Sequence, residues 1–214
     1  MGHSVKNRNK KVATAVLIGA LSAVSLSGCG KAAKLPDTVV NTSLVVDKDG
    51  RVTSYLVDTF DKDFYNLDGL KEMVQSEADA FNIAHADAPE DPLAVKAVQS
   101  VGEGATVQVV EEFTDTKVYE EYTEQELFYG TRVEALADGI SVNLDLVNAE
   151  DGTPADQKKL EKALEKNHLL ITNASAYIYC PYQVLYVSEG VVMGEDGYVD
   201  ASQSDGVVTI LMKK

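Results

Sequence analysis

Tryptophan is absent from this 214-residue chain, cysteine occurs twice and histidine three times. Two cysteines with no C-x-x-C spacing supply neither paired zinc ligands nor a dithiol redox motif. No G-x-S-x-G elbow is present to expose a nucleophilic serine, and no glycine-rich loop is present to cradle phosphate. The apolar run Val12 to Leu26, which carries no charge, falls short of the roughly 20 apolar residues that cross a ~30 Å hydrocarbon core. Basic charge is scarce as well: 19 Lys and Arg face 34 Asp and Glu. That imbalance excludes the electrostatic footprint of a nucleic-acid binder, because an acidic body is repelled by phosphate backbones.

The few basic residues are placed with a purpose. Lys6, Arg8, Lys10 and Lys11 fall before the uncharged run VATAVLIGALSAVSL, and no acid occurs before Cys29. A basic start, a short apolar stretch and a small-residue exit describe a secretory signal peptide. Met1-Gly2 does not open a myristoylation site, since Lys6 stands where that motif needs Ser or Thr. Without its first 28 residues the chain keeps all of its acids and carries a net charge near −19.

Leu26-Ser27-Gly28-Cys29 resembles the lipobox of bacterial lipoproteins. The resemblance implies that the Cys29 thiol receives a diacylglyceryl group and that a type II signal peptidase cuts between Gly28 and Cys29. Two acyl chains hold a protein stably, at about 0.8 kcal/mol per buried CH₂, so the acidic body needs no basic patch to stay at the membrane. The expected address is the outer face of the cell membrane, or an outer membrane in a cell with two. Residues 1–28 are then the removed signal peptide, residues 29–40 the lipid anchor and a short tether with little core packing, and residues 41–214 the extracytoplasmic body, divisible into sub-lobes 41–139 and 140–214.

The body reads as α+β: antiparallel β-hairpins packed with a few amphipathic helices, and a β-rich C-terminal part. Two β-rich runs flank Asp47-Lys48-Asp49-Gly50, a hairpin turn in which Gly50 takes positive φ. The glycine stands fourth from the first Asp, where an EF-hand needs it sixth. Leu70, Met73, Val74, Ala78 and Phe81 recur at helical spacing behind a cap at Asp68. Asp91 to Val101 has two readings, a helix opened by Asp91-Pro92 as cap and first position or a valine-rich strand; with Gly102-Glu103-Gly104 leading into the alternating ATVQVVEEF, it is read as a second hairpin. A short helix over 115–123, a strand in ELFYGT, a helical turn at 133–137 and a strand in SVNLDLVN come next. Thr153-Pro154 suits the cap and first position of a helix running to about Lys166. The strands HLLITN, SAYIYC, QVLYVS, GYVDAS and VVTILMK close the chain. The order hairpin, helix, hairpin, short helix, ELFYGT strand, over Val45 to Ala137, resembles uncharacterised lipoproteins of Gram-positive gut anaerobes; the likeness implies the same address and no particular activity.

Tyr177, Tyr179, Tyr182 and Tyr186 fall within ten residues, and Tyr177 and Tyr179 share a strand face. They could form an aromatic platform for a peptide, glycan or protein partner, against the plainer alternative of strand packing with hydroxyls in solvent. Cys180, left without a partner once Cys29 carries lipid, reads as a small buried hydrophobe. His168 reads as a cation at a helix C-terminus. His85, beside Asp87 and Asp91, is the thin support for a hydrolase. The acids Glu195, Asp196, Asp200 and Asp205 match no calcium loop and read as solvated turns. No cofactor and no metal are expected. The sequence therefore points to a lipid-anchored, non-enzymatic binding or interaction protein, with a membrane-anchored hydrolase or other cell-wall-acting enzyme as the alternative.

Overall fold

The computed structural model describes residues 32–102 and 105–214; Gly28, Cys29 and the signal segment lie outside them. In chain order the elements are β1 (Ser43–Val46), β2 (Val52–Thr59), α1 (Leu67–Ala84), β3 (Leu93–Ser100), β4 (Thr106–Phe113), α2 (Thr116–Thr123), β5 (Leu127–Thr131) and α3 (Arg132–Ala137). They continue as β6 (Leu146–Asn148), α4 (Gln157–Leu164), β7 (His168–Thr172), β8 (Tyr177–Tyr179), β9 (Gln183–Ser188), β10 (Val192–Met193), β11 (Val199–Asp200) and β12 (Val208–Lys213). The fold is α+β and β-rich.

The strands form two sheets, one of seven strands in the order β10-β11-β8-β1-β2-β4-β3 and one of five in the order β5-β7-β12-β9-β6. Every pairing is antiparallel except that of β1 with β8, where Ser43 lies opposite Tyr177 and Val45 opposite Tyr179. Each sheet draws strands from both sides of residue 140, because β8, β10 and β11 join the N-terminal hairpins while β5 pairs with β7.

Strand periodicity explains how the two sheets meet. Leu44, Val46, Val52, Phe113 and Ile178 project from the inner face of the seven-stranded sheet. Leu127, Leu170, Ile210 and Met212 project from the five-stranded sheet into the same core. Fully burying each such side chain contributes about 1.5–3 kcal/mol. On the far face of the five-stranded sheet, Leu169, Ile171 and Leu211 pack under Leu160 and Leu164 of α4. With both faces covered, β7 is buried at all five positions, as the consecutive Leu169, Leu170 and Ile171 at its centre anticipate.

The far face of the seven-stranded sheet is covered by the chain's own N-terminal segment. Ala33 and Val39 are buried with Val45, Tyr55, Val110 and Tyr179. The Lys34 amide donates to the Asp196 carbonyl at 3.1 Å, and the Gln108 side chain donates to the Val39 carbonyl at 2.7 Å. Gly197, at φ +81, presents bare backbone toward Ala33. The stretch expected as a loose tether is thus packed from Ala33 onward. Its composition is small and basic, but Ala33, Leu35 and Val39 are separated by two and four residues, the even spacing that puts apolar groups on one side of an extended chain.

Local chemistry shifts several boundaries. Asn66, not Asp68, caps α1, its side chain accepting the Gly69 amide at 2.9 Å. Asp156 caps α4, while Thr153 is held by Asp151 and Pro154 bridges to Val147. A competing turn closed by Asp151 captures the threonine that looked like a cap. Only Leu146–Asn148 of SVNLDLVN is strand; Val142 and Leu144 pack beside the α4 layer without joining the ladder.

Val39→Asp tests the docked segment. Placing a carboxylate at this buried position should lower the unfolding free energy by about 2 kcal/mol or more, read from denaturant melts. It should also open Lys34 to trypsin in the native protein, read by mass spectrometry of the first cleavage products. Equal protection of Lys34 in the variant and the parent would show that the segment is not held by this packing.

Candidate functional site

The inner face of the seven-stranded sheet is covered by two different coverings. The five-stranded sheet covers part of it, and α1 and α2, packed on β3 and β4, cover the rest. Where the two coverings meet, a cleft of about 380 Å³ remains, within the range of cavities that hold small ligands (roughly 300–1,000 Å³). Its floor is Leu44, Ser54, Leu56, Val109 and Glu111 of β1, β2 and β4; its walls are α1, α2 and residues 174–176. The cleft explains an oddity of α1. Eighteen residues long, it buries only Val74 and Ala78, and Met73 is 51% exposed and Leu56 53% exposed at the cleft.

Glu111 is the unexpected group. It lies opposite Ser54 in the β2–β4 register, on the face that carries Val109 and Phe113, whereas Glu112 faces outward and pairs with Lys96 at 2.8 Å. Tyr122 donates its hydroxyl toward Glu111 at 3.4 Å. Burial holds the Glu111 carboxyl above the ordinary carboxylate range, with the charge of Glu77 adding to the rise and the Tyr122 hydrogen bond opposing it. Burial likewise pushes Tyr119 and Tyr122 up to about 12. No sequence motif marks Glu111. Counting back from Phe113 by twos would have placed it on the inward face, between two apolar neighbours.

The four tyrosines singled out from sequence separate into three places. Tyr177 and Tyr179 share the outer face of β8, as their spacing requires, and Tyr198 joins them, with its ring 4.7 Å from that of Tyr177 and 5.5 Å from that of Tyr179. The docked N-terminal segment roofs this trio, leaving a cavity of about 150 Å³ bounded by Pro36, Val39 and Asp196. Tyr182 stacks parallel to His168 at 6.2 Å, with Lys48 5.5 Å from its ring. Tyr186 packs on the opposite side of the five-stranded sheet, with Leu146 and Leu211. Cys29, the proposed lipid site, lies outside the described residues, as does Gly28.

Neither histidine of the body is in the cleft. His168 belongs to β7 rather than to a helix end, sandwiched between Tyr129 and Tyr182. Its Nδ1 is buried without a hydrogen-bond partner among the described residues. Burial, and then the nearby Lys214 ammonium, push its pKa down, so it is a neutral core ring rather than a cation on the helix dipole. His85 caps the end of α1. Its Nδ1 faces the Phe81 carbonyl at 2.8 Å and its Nε2 faces Glu121 at 3.1 Å. Only the protonated ring donates from both nitrogens, and that form has no lone pair to act as a base. The Phe81 hydrogen bond is the chief cause of a raised pKa; burial opposes it and Glu121 supports it. Cys180 is fully buried and its thiol is pushed up to about 12 by burial alone, which leaves it unreactive as a nucleophile.

Among the described residues no three metal-ligating side chains converge, and no helix is long and apolar enough to cross a membrane. Comparison with protein-family models, curated proteins and solved structures returns no match.

The His85 geometry sets a pH dependence. A histidine whose folded pKa lies above its unfolded value of about 6.5 stabilises the fold fully below that value and loses the contribution as pH rises through the folded pKa. His85→Gln should therefore be less stable than the parent at pH 5–6, and the difference should shrink above about pH 6.5. Thermal melts of both proteins from pH 5 to 9 check this. The opposite titration of His168 is common to both and cancels, so a difference that grows with pH would contradict the His85 contacts.

Proposed function

We propose that this chain is a lipid-anchored extracytoplasmic binding protein, tethered through a diacylglyceryl Cys29 and taking its ligand in the cleft between α1, α2 and the seven-stranded sheet. The cleft carries the reading. It is open, mostly apolar, and furnished with a few convergent polar groups whose titration is perturbed, the usual form of a ligand site. Among its described lining residues no imidazole stands beside Ser54 or Thr42 to activate a hydroxyl, which favours binding over hydrolysis.

The anchor is supported by the basic start, the short apolar run and LSGCG. Packing begins at Ala33, four residues beyond Cys29, and four residues span at most about 14 Å. The body would therefore sit close against the bilayer. The docked segment and the cleft occupy opposite faces of one sheet, so the anchor attaches on the side away from the ligand.

Two variants test the two halves. Cys29→Ala should accumulate as full-length precursor and take up no labelled palmitate; a variant that still matures and labels would refute the anchor. For the cleft, the neutral dye N-phenyl-1-naphthylamine should bind the purified body saturably. Leu56→Arg, at the half-exposed mouth, should weaken it about tenfold or more, a cost near 1.4 kcal/mol. A dye affinity indifferent to Leu56→Arg would move the site elsewhere.

A further inference from the structure

We infer that the cleft selects an organic cation: an ammonium head held by Glu111 and Glu77, with an apolar body lying along Leu56, Met73 and Val109. This rests on the cleft being the binding site and adds the chemistry of its ligand.

Three features converge on that class. The first is sign. Glu77 and Glu111 both line the cleft, and no Lys, Arg or His does. Neither carboxylate has an ion-pair partner among the described residues, while Glu112, one residue along β4, has Lys96. An anionic ligand would bring a third negative charge into a partly desolvated space.

The second is hydrogen-bond polarity. The lining hydroxyls have already spent their protons inside the protein. Tyr122 donates to Glu111, Tyr119 to Gln125, Thr123 to the Tyr119 carbonyl and Thr42 to the Val57 carbonyl. Ser43 donates to the Asn41 carbonyl, and Ser175 reaches the Ser204 carbonyl. Of the hydroxyls only Ser54 is uncommitted among the described residues. What faces the cleft is therefore chiefly lone pairs, from two carboxylates and the spent hydroxyl oxygens, with the Ser54 hydroxyl and the Gln125 amide nitrogen as its side-chain donors among the described residues. An acceptor-rich surface fits a donor ligand, and an ammonium carries three donors and no acceptor.

The third is the rest of the wall. A calcium-type ion needs six to eight oxygen ligands, and here two carboxylates are set among Leu, Val, Met and two tyrosine rings. Hydrocarbon walls reward a ligand that brings its own apolar surface. Tyr119 and Tyr122 add aromatic carbon to that wall.

The test holds the body constant and changes the head. n-Octylammonium, 1-octanol and octanoate are titrated into the purified body at pH 7 and followed by calorimetry. Octylammonium should bind about tenfold or more tighter than octanol, as a charge-assisted contact contributes beyond a neutral one, and octanoate should bind weakest. Glu111→Gln should collapse the preference for octylammonium while leaving octanol within about threefold. Glu77→Gln, on the exposed side of α1, repeats the experiment without touching the sheet, and thermal melts confirm that both variants fold. Equal affinity for all three ligands would overturn the cation preference while leaving the cleft as a site. No binding of any of them would overturn both readings. Octanoate binding as well as octylammonium, or a preference that survives both variants, would overturn the inference outright.

Discussion

The seven-stranded sheet is wider than the five-stranded sheet that packs on its inner face, and much of the molecule follows from that mismatch. A β-sheet with an apolar face must bury it. Where the second sheet runs out, over β2, β4 and β3, the chain has to supply another cover. It uses α1, inserted between the first two hairpins, and α2, which leads directly into β5. Helices and sheets do not present the same surface. Here the two helices and the five-stranded sheet do not close over the whole face, and the gap between the coverings is the cleft. The half-exposed Leu56 and Met73 are the mark of that incomplete fit.

The same economy governs the two outer faces. One receives α4, whose Leu160 and Leu164 close over Leu169, Ile171 and Leu211. The other receives no helix among the described residues. It is closed by an extended segment, Ala33 to Val39, whose side chains are small enough to lie over the rings of Tyr177, Tyr179 and Tyr198 without lifting off the sheet. A tyrosine surface that could greet a foreign partner is instead occupied by the protein's own chain. What distinguishes the cleft is that none of the described residues fills it, and that its floor carries a carboxylate at a position where strand alternation calls for a hydrophobe. An acid placed there is held against its own solvation preference by the surrounding packing.

Much of the fold could be read from the sequence because its signals are local. Asp47 to Gly50 announces a turn: Asp47 accepts the amides of Asp49 and Arg51, and Gly50 supplies φ +84. The β3–β4 hairpin, α2, β5 and the final strands follow from periodicity within single segments. The errors came where two local signals compete or where partners are far apart. Thr153 could cap a helix or close a turn with Asp151, and only the tertiary position of β6 decides between them. His168 follows a helix in sequence but belongs to a strand whose neighbours, β5 and β12, come from distant segments. The seating of residues 33–39 depends on a surface assembled from β1, β2, β4 and β8, which no window of the sequence contains. The cleft was illegible for the same reason, although Glu111 had left a trace in the alternation of its own strand.

The parallel pairing of β1 with β8 joins residues 43–45 to 177–179. Among the described strands it is the only parallel contact, and it closes a loop of some 130 residues before any hydrogen bond rewards the closure. Contacts of that sequence separation slow folding, because the entropy of the loop is lost first. Until β8 arrives, the N-terminal hairpins present β1 as a bare edge of Ser-Leu-Val-Val, with every other backbone group unpaired. The chain therefore spends the time before completion with its most adhesive strand uncovered. The order in which its parts are released to fold matters more to this protein than its modest size would suggest.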